Sequence, residues 1–373
     1  MAHNKLFYIA HIRLPTEKAH GMQIMKSCEA LARAGVEVEL VVPRRKNPIA
    51  DDPFTYYAVE KNFTLTKIPY IDTVRFGRVG FLFAFVSFLI ASRVYLIGKK
   101  GFIYTREEGV GLFFRRFALE THMLSESMGW LRNLIYRRAK VLFVLTSFIK
   151  AELTKKGVSE SRLVVAPDAV DLKQFDIPLS NISARERVCL PQGKQIVLYA
   201  GSFFLYDWKG VDTFLEAAKE FGSDTLFVLV GGNEKEVNNA KAKWGRENVS
   251  FLGYQPPQHI PVYLKAADVL VIPNKKGSIV SEQYTSPLKL FEYMAAERPI
   301  VASRLPSLEE VVGEDEVLFF EPNNVDDLSL AIRQVLRNKS FAEILAKNSR
   351  KKAEKFTWDT RMGNVLAKLR EFY

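Results

Sequence analysis

The sequence predicts an α/β protein made of two Rossmann-like domains, each with a doubly wound parallel sheet. In the first half, Leu6–Ile12 is a predicted strand that is followed by the loop Arg13–Gly21. A helix at Met22–Ala34 and a strand at Val36–Val42 complete one βαβ unit, which implies parallel pairing. The same order begins again with a strand at Ile196–Ala200. The 373 residues, 48% of them hydrophobic, are sufficient for two such domains.

The first domain is predicted to cover residues 1–178 and the second residues 190–356. Residues 176–194 are polar and show no clear period, so we place the linker there. Ser147 is the predicted cap of the helix that follows the strand Val141–Thr146. Further strands are predicted at Phe102–Thr105, Leu163–Ala166, Thr225–Val230, Val249–Leu252 and Ala267–Pro273.

Composition limits the classes of protein that the chain can belong to. The net charge of +11 indicates either plain solubility or attraction to an anionic partner, such as a lipid surface, diphosphates or nucleic acid. Cys28 and Cys189 are the only cysteines and are far apart in the sequence, so disulfides and zinc sites are not expected. Leu6–Ala10 is too short for the apolar region of a signal peptide. A reducing, cytoplasmic location is therefore expected.

Val79–Ile97 is an almost continuous apolar run that approaches the length of a membrane span. Gly80 and Arg93 interrupt it, so we predict a buried helix of the first domain. The alternative is a helix that inserts partly into a bilayer while neighbouring cations meet lipid phosphates. These cations are Arg75, Arg78, Arg93, Lys99 and Lys100.

The rest of the chain is organised around Gln283–Ser303, which is predicted as a loop, a helix and a buried strand. Ser286 and Pro287 open the helix, where free N–H groups and the positive end of the helix dipole favour a phosphate. Glu292, about one turn further on, can accept hydrogen bonds from a ribose diol. The segment thus predicts a nucleotide-phosphate pocket. The alternative is an ordinary buried helix with one salt-bridged glutamate.

This segment resembles the signature of retaining glycosyltransferases with the GT-B fold, the large family four, also called group 1. The matching positions are Glu292, Tyr293, Met294, Ala295, Pro299, Val301, Ala302 and Ser303. The resemblance gives Glu292 the role of binding the nucleotide ribose. The glutamate that touches the donor sugar in the family is replaced by Tyr284, with Glu282 two residues earlier, and Glu297 stands where a small residue is usual.

The resemblance extends over almost the whole chain and implies roles for other residues. Lys209-Gly210 matches a motif that binds the donor diphosphate, whereas Ser202 stands in place of the family's arginine. Gly21 belongs to a loop that reaches the diphosphate, with Lys18 and His20 beside it. His122 ends a strand, Phe117–His122, near the donor sugar. The expected catalytic residues are His122, Lys209 and Glu292, and the expected donor-binding residues are Gly21, Ser202, Lys209, Gly231, Tyr254, Gln255, Tyr284, Ser286, Pro287, Leu288, Lys289 and Glu292.

The resemblance further implies two domains that face each other across a cleft, a turn at Pro167–Phe175 that closes the first domain, and a terminal helix at 357–373 that packs back on that domain. The implied reaction moves a sugar from a UDP- or GDP-linked donor to a glycan or lipid-linked acceptor with retention, in the synthesis of envelope polysaccharide or glycolipid. No metal, cofactor or nucleic acid is expected. The expected location is the cytoplasm, with an anionic membrane surface at its inner face as a further candidate partner. The alternatives are a GT-B enzyme that is not a transferase, such as a sugar-nucleotide epimerase, and a non-catalytic basic membrane- or nucleic-acid-binding protein.

Overall fold

A computed structural model describes residues 5–124, 129–203 and 206–372. The chain divides into two compact units. Unit 1 comprises Met1–Pro167 with Trp358–Tyr373, and unit 2 comprises Asp168–Thr357. Each unit is built on one parallel sheet with helices packed against it, which confirms the predicted α/β fold class.

Unit 1 contains a seven-stranded sheet in the order β3-β2-β1-β4-β5-β6-β7, and all of its neighbouring strands are parallel. The order reverses between β1 and β4, so both halves of the sheet grow outward from its centre. β3 lies in a stretch without a clear sequence pattern, and it is added at the edge. The strands are β1 (Lys5–Ile9), β2 (Glu37–Pro43), β3 (Thr64–Ile68), β4 (Phe102–Thr105), β5 (Phe117–Thr121), β6 (Val141–Val144) and β7 (Leu163–Val165).

The first six helices also belong to unit 1. They are α1 (Ala19–Arg33), α2 (Pro53–Tyr57), α3 (Gly77–Tyr95), α4 (Val110–Phe113), α5 (Trp130–Arg138) and α6 (Ser147–Lys155). The predicted cap of α6 is wrong by one residue, because Thr146 accepts the hydrogen bond from the backbone N–H of Ile149, 3.2 Å away. α1 begins at Ala19, so His20 and Gly21 lie in its first turn and not in the preceding loop.

The prediction that the helix at 79–97 is buried is wrong. Only 22% of the apolar window of Val74–Tyr95 is buried, and the segment is long and apolar enough to cross a membrane by length and composition. A narrow strip that includes Gly80, Ala84, Phe88 and Ser92 faces unit 1. Apolar content alone does not distinguish a core helix from one that presents large side chains to the outside.

Unit 2 contains a six-stranded parallel sheet in the order β10-β9-β8-β11-β12-β13. The order reverses between β8 and β11. In sheets of this kind, ligands bind outside the carboxyl ends of the strands at such a switch point. The strands are β8 (Gln195–Ala200), β9 (Thr225–Val230), β10 (Val249–Gly253), β11 (Val269–Ile272), β12 (Ile300–Ser303) and β13 (Leu318–Phe320).

The helices of unit 2 cover both faces of its sheet. They are α7 (Leu172–Phe175), α8 (Asn181–Arg187), α9 (Val211–Ala217), α10 (Glu234–Trp244), α11 (Ile260–Ala266), α12 (Leu288–Ala295), α13 (Pro306–Glu309), α14 (Val325–Arg337) and α15 (Lys339–Ala353), and α16 (Trp358–Leu369) follows in unit 1. Shorter turns of helix occur at Val74–Phe76, Glu160–Arg162, Asp207–Lys209, Ala218–Glu220, Pro257–His259, Val280–Tyr284 and Arg370–Phe372.

The segment predicted as a linker is instead an integral part of unit 2. Ala184 of α8 is fully buried in the core of that unit. Arg185 donates to the carbonyl of Ala266 at 3.0 Å and pairs with Asp268 at 2.6 Å. A polar helix without a clear apolar period is thus held by polar contacts at the carboxyl end of α11 and just beyond it, which sequence periodicity does not reveal.

Alternate residues of β8 face opposite sides of the sheet, and α12 packs on one of these sides. Ile196 and Leu198 pack into one core layer together with Leu290 and Met294 of α12, whereas Val197 packs into the layer on the other face. Successive residues of a strand point to opposite faces, so each face of the sheet is buried by its own set of helices. α12 is thereby fixed in register with the end of β8.

Gly210 has a conformation and a position that only glycine tolerates. Its φ is 65°, and a Cβ at this residue would lie 1.7 Å from the carbonyl oxygen of Pro273. We expect Gly210→Ala to lower the free energy of unfolding by about 2–4 kcal/mol, because backbone strain and a clash with backbone combine.

Urea unfolding followed by circular dichroism measures this effect. Gly363→Ala is the matched control, because Gly363 lies within α16 and a Cβ there meets no atom within 4 Å. The control should be neutral or more stable by up to about 1 kcal/mol. Equal stability of Gly210→Ala and the wild type would contradict the packing described for this residue.

Candidate functional site

The carboxyl ends of β8 and β9 form a floor without side chains. Gly201 and Gly231 follow these strands with φ of 144° and 128°. A Cβ on Gly231 would lie 2.0 Å from the carbonyl oxygen of Gly201, and one on Gly201 would lie 3.4 Å from the Nζ of Lys289. Backbone therefore lies close to this ammonium group, which is the arrangement that an anionic ligand needs in order to approach both.

Two lysines from different elements lie near the carboxyl end of β8. Lys209 comes from the turn after β8, and its Nζ donates a hydrogen bond to the Oγ of Ser202. Lys289 comes from α12, and its Nζ lies 4.0 Å from the centre of the Tyr199 ring. The Lys289 Nζ is shielded from solvent and has no hydrogen-bond partner among the described residues. A buried ammonium without an acceptor marks a position where an anion is stabilised.

The electrostatics of the two lysines agree with this interpretation. Burial lowers the pKa of Lys289 well below its usual range, the nearby charge of Lys209 lowers it further, and Glu292 opposes both effects. Burial also lowers the pKa of Lys209. Because burial disfavours the charged form of both lysines and Lys209 further disfavours that of Lys289, a bound anion would oppose these effects.

The amino end of α12 lies beside the lysines and is fixed from two sides. Its N-cap residue is Pro287, which offers no side-chain acceptor to the first N–H groups of the helix. The Oγ of Ser286 instead accepts a hydrogen bond from the backbone N–H of Asp168 at 3.0 Å. The hydroxyl of Tyr293 accepts one from Ala200 N at 2.7 Å, which ties α12 to the end of β8. The helix starts at Leu288, two residues later than predicted from Ser286-Pro287.

Glu292 lies one turn into α12, close to Lys289. Burial raises the pKa of its carboxyl to about 7, Lys289 lowers it, and Asp168 raises it. Asp168 belongs to the turn before α7, and sequence reasoning did not single it out as a site residue. The carboxyl of Glu292 therefore titrates near neutrality, where it changes from a hydrogen-bond donor to an acceptor.

Asn274 is a second residue that sequence reasoning missed. It is fully buried two residues after the end of β11 and follows Pro273, whose carbonyl faces Gly210. Its Oδ1 and Nδ2 have no hydrogen-bond partner in the described part of the chain. The sequence signal that could have found it is a polar residue immediately after an apolar strand that ends at the switch point.

The other predicted donor residues of unit 2 lie in two places. Tyr284 is buried in the turn Val280–Tyr284, which the sequence predicted as a loop. Glu282, the other candidate for the missing glutamate, accepts a hydrogen bond from the backbone N–H of Gly277 at 2.6 Å. Tyr254 and Gln255 follow β10, where Tyr254 is 43% exposed and Gln255 donates to the carbonyl of Leu252 at 3.1 Å.

Gly21 of unit 1 has a packing role. A Cβ at this residue would lie 2.1 Å from the hydroxyl oxygen of Tyr57. That hydroxyl accepts a hydrogen bond from the N–H of Thr16 and donates one to its carbonyl, each at 2.7 Å. The absence of a side chain at Gly21 therefore makes room for Tyr57, and the proposed donor contact of Gly21 stays a prediction.

His122 is held at both ring nitrogens by groups of unit 1. Its Nε2 pairs with the carboxylate of Glu120, and its Nδ1 with the guanidinium of Arg106. Burial and Arg106 lower the pKa of His122 to about 4, so the ring is neutral at pH 7. Burial opposes the ionisation of Glu120, yet Arg361, His122 and Arg106 hold its pKa well below the usual range. In this arrangement His122 has no uncommitted nitrogen for a substrate.

Among the described residues, no group of three or more His, Cys, Asp or Glu is placed to hold a metal ion. The features of unit 2 define an α/β protein with a cationic, backbone-lined candidate site at the switch point of its sheet. Sites of this kind bind phosphate groups through helix N-termini and cations.

Comparison with known proteins finds similarity to glycosyltransferases. Residues 181–352 match the family model described as glycosyl transferases group 1. An uncharacterised glycosyltransferase of Methanocaldococcus jannaschii is 24% identical over 342 residues, which cover 87% of this chain and 90% of that protein. O-antigen chain mannosyltransferase B of Escherichia coli is 34% identical over 111 residues, or 30% of this chain and 27% of the relative.

A solved structure extends the likeness over the whole chain. The Anabaena protein HepE in complex with UDP and glucose has a TM-score of 0.77 at 15% identity, and the match covers 99% of this chain and 100% of that chain. The fold is GT-B. The match of residues 181–352 to glycosyl transferases group 1 confirms, for this segment, the resemblance that the sequence motifs predicted.

Removal of the titrating carboxyl should change stability in a pH-dependent way. The pKa of Glu292 rises from 4.5 to about 7 in the folded protein, so between these values the unfolded chain ionises first. The wild type therefore loses stability relative to Glu292→Gln as pH rises from 4.5 to 7, by about 2–3 kcal/mol in total. Thermal unfolding of both proteins across pH 4.5–8 measures the difference. Glu297→Gln, which removes an exposed carboxylate just after α12, should track the wild type.

Replacement of the paired histidine tests its structural role. His122→Leu removes a hydrogen-bond partner of the buried Glu120 carboxylate and should lower the free energy of unfolding by about 2–3 kcal/mol. Urea unfolding measures this change, and His122→Gln should recover part of it because an amide can still donate. A variant with unchanged stability would contradict the network described for unit 1.

Proposed function

We propose that the protein transfers a sugar from a nucleoside-diphosphate sugar to a hydroxyl of a glycan or lipid-linked acceptor, with retention of anomeric configuration. The observation that carries the proposal is the shielded ammonium of Lys289, which has no acceptor among the described residues and lies beside a second cation. A diphosphate supplies the negative charge that these two lysines require.

The diphosphate is proposed to lie between Lys209, Lys289 and the first N–H groups of α12. The bare backbone at Gly201 and Gly231 lets phosphate oxygens approach without a clash. Helix N-terminal amides and two ammonium groups are preorganised donors for a charge that grows as the sugar leaves.

Glu292 is proposed to bind the ribose of the donor. Its ionised carboxylate accepts hydrogen bonds from two vicinal hydroxyls, and this requires the loss of a proton that is held with a pKa of about 7. A phosphate anion near Lys289 raises the pKa of that lysine. The resulting positive charge in turn favours the ionised form of Glu292.

In the transfer step, the bond between the anomeric carbon and the diphosphate oxygen breaks. The acceptor hydroxyl oxygen forms a new bond to the same carbon from the same face, and its proton passes to the departing phosphate oxygen. This front-face course fits a site whose built features serve the leaving group, since stabilising a leaving diphosphate is electrostatic work. Lys209, Lys289 and the α12 amides perform this work in the proposal without a metal ion.

The nucleobase of the donor and the class of acceptor are proposed from the proteins that this chain resembles. A UDP-linked donor is supported by the HepE structure, which contains UDP. Tyr254, which is partly exposed after β10, offers a ring on which a base can stack. A polysaccharide or glycolipid acceptor is supported by the likeness to an O-antigen mannosyltransferase.

The test compares Lys289→Met with the wild type in calorimetric titrations with UDP, GDP and ADP, followed by UDP-glucose. The substitution should weaken binding of the preferred nucleotide about 10–100-fold, since a hydrogen bond to a charged group contributes about 1.5–3 kcal/mol. The same variant should unfold at a higher temperature than the wild type without ligand, because a shielded, unpaired cation is replaced by an apolar side chain of similar length.

Lys209→Met should weaken nucleotide binding in the same sense. Lys219→Met, which removes a surface lysine that pairs with Glu216, serves as the control and should bind like the wild type. Binding of none of the three nucleotides by the wild type, or full affinity in both site variants, would overturn the proposed donor site.

A further inference from the structure

The outward side of α3 and the residues next to this helix expose a set of large apolar side chains. Phe83 and Val79 are each 67% exposed, and Val86, with 39%, is the least exposed of the set. Monomeric proteins rarely present a contiguous apolar patch of more than a few hundred Å2 unless it serves an interaction. The set comprises Phe76, Val79, Phe81, Leu82, Phe83, Val86, Ile90, Val94 and Ile97.

Helical spacing puts most of these side chains on one face. Val79, Phe83, Val86, Ile90 and Val94 follow one another at steps of four, three, four and four residues. Such steps keep residues on the same side of an α-helix. The patch is therefore a stripe along α3, and we call these five residues the outer stripe.

The inner face of α3 is built from smaller groups and is already packed. A Cβ on Gly80 would lie 2.0 Å from the carbonyl oxygen of Thr73, and Ala84 and Ser92 are fully buried. The Oγ of Ser92 donates to the carbonyl of Phe88 at 2.8 Å. Because the helix is fixed on this side, it cannot rotate to bury the outer stripe within unit 1.

The segment that carries the outer stripe has charged residues of one sign. Residues 74–100 contain five cations and no acidic residue. All five are exposed, and four of them, Arg75, Arg78, Arg93 and Lys100, form no ion pair among the residues that the structure describes. Lys99 lies 3.8 Å from Glu39. An apolar stripe flanked by exposed cations, most of them without an ion pair, is complementary to a surface with an anionic outside and an apolar inside.

We propose that α3 is a peripheral docking helix that lies in the plane of an anionic lipid bilayer, with the outer stripe immersed among the acyl chains. Arg75 and Arg78 at one end and Lys100 at the other reach the lipid phosphates. A second copy of the chain fits this face less well, since paired copies would bring ten cations together. An in-plane helix keeps its packed inner face, whereas a membrane-spanning helix would have to release it.

The test is cosedimentation of the full chain with vesicles of phosphatidylcholine alone or with added phosphatidylglycerol. The wild type should bind the anionic vesicles, and added salt should weaken that binding. Phe83→Asp combined with Ile90→Asp should weaken it at least about tenfold, because two charges would enter the apolar layer. Arg78→Glu should weaken it about fivefold or more, since one cation at such a surface contributes about 1 kcal/mol.

Leu330→Asp is the matched control. Leu330 is 64% exposed on α14 in unit 2, so the substitution adds a charge at an equally exposed apolar residue away from the stripe. It should bind vesicles like the wild type. Circular dichroism and thermal unfolding of each variant establish that loss of binding is not loss of fold.

A second readout reports on the stripe directly and does not depend on the aspartate variants. The tryptophan introduced by Phe83→Trp should shift its fluorescence emission to shorter wavelength when anionic vesicles are added. The tryptophan introduced by Leu330→Trp should show no such shift. Absence of vesicle binding by the wild type, or equal binding by the Phe83/Ile90 variant, would overturn the proposal. So would a wild type that is a dimer in solution and becomes a monomer in that variant without binding vesicles. If the membrane-bound chain resisted extraction with alkaline carbonate, α3 would span the bilayer and the in-plane arrangement would be wrong.

Discussion

The cation that α12 holds beneath the ends of β8 and β9 is the constraint around which unit 2 is arranged. A shielded ammonium without an acceptor is unfavourable by several kcal/mol. Lys289 is nevertheless held there, because Leu290, Phe291 and Met294 of the same helix pack into the core and the Tyr293 hydroxyl accepts from Ala200. Packing of the apolar face of α12 thus offsets the free-energy cost of holding Lys289 shielded from solvent. A helix that packed less well could not hold Lys289 in this position.

The ionisable groups of this site are coupled, so they respond to a ligand as a set. Lys209 disfavours the charged form of Lys289, and Asp168 disfavours that of Glu292. Asp168 also donates its backbone N–H to Ser286, which precedes α12, so one turn influences both the geometry and the charge of the site. An anion bound at the lysines therefore changes the protonation of Glu292, although the two need not touch.

Local sequence pattern was sufficient for the fold class and for proposing where a site lies, but not for the contacts that the structure shows at that candidate site. The apolar runs at β8 and β11 and the Lys209-Gly210 pair identify the second sheet and its switch point. The requirement for glycine at Gly210 comes from the carbonyl of Pro273, which is distant in sequence. The burial of Asn274 and the approach of Asp168 to Glu292 likewise depend on how loops from different strands meet. The spacing of residues along the sequence does not reveal these contacts between loops.

Two features of the chain are locally unfavourable in opposite ways, and the contrast explains why the sequence predicted one and not the other. Lys289 is a charge in a shielded place, which a motif can indicate because the residue type is unusual on an apolar helix. The outer stripe of α3 consists of apolar side chains in an exposed place, and a buried core helix would have the same composition. Natural chains break a local rule chiefly at functional sites. By that reasoning the shielded Lys289 requires an anionic acceptor and the exposed apolar stripe requires an apolar layer. Among the residues that the structure describes, no acceptor bonds to the Lys289 Nζ, and the outer stripe remains exposed.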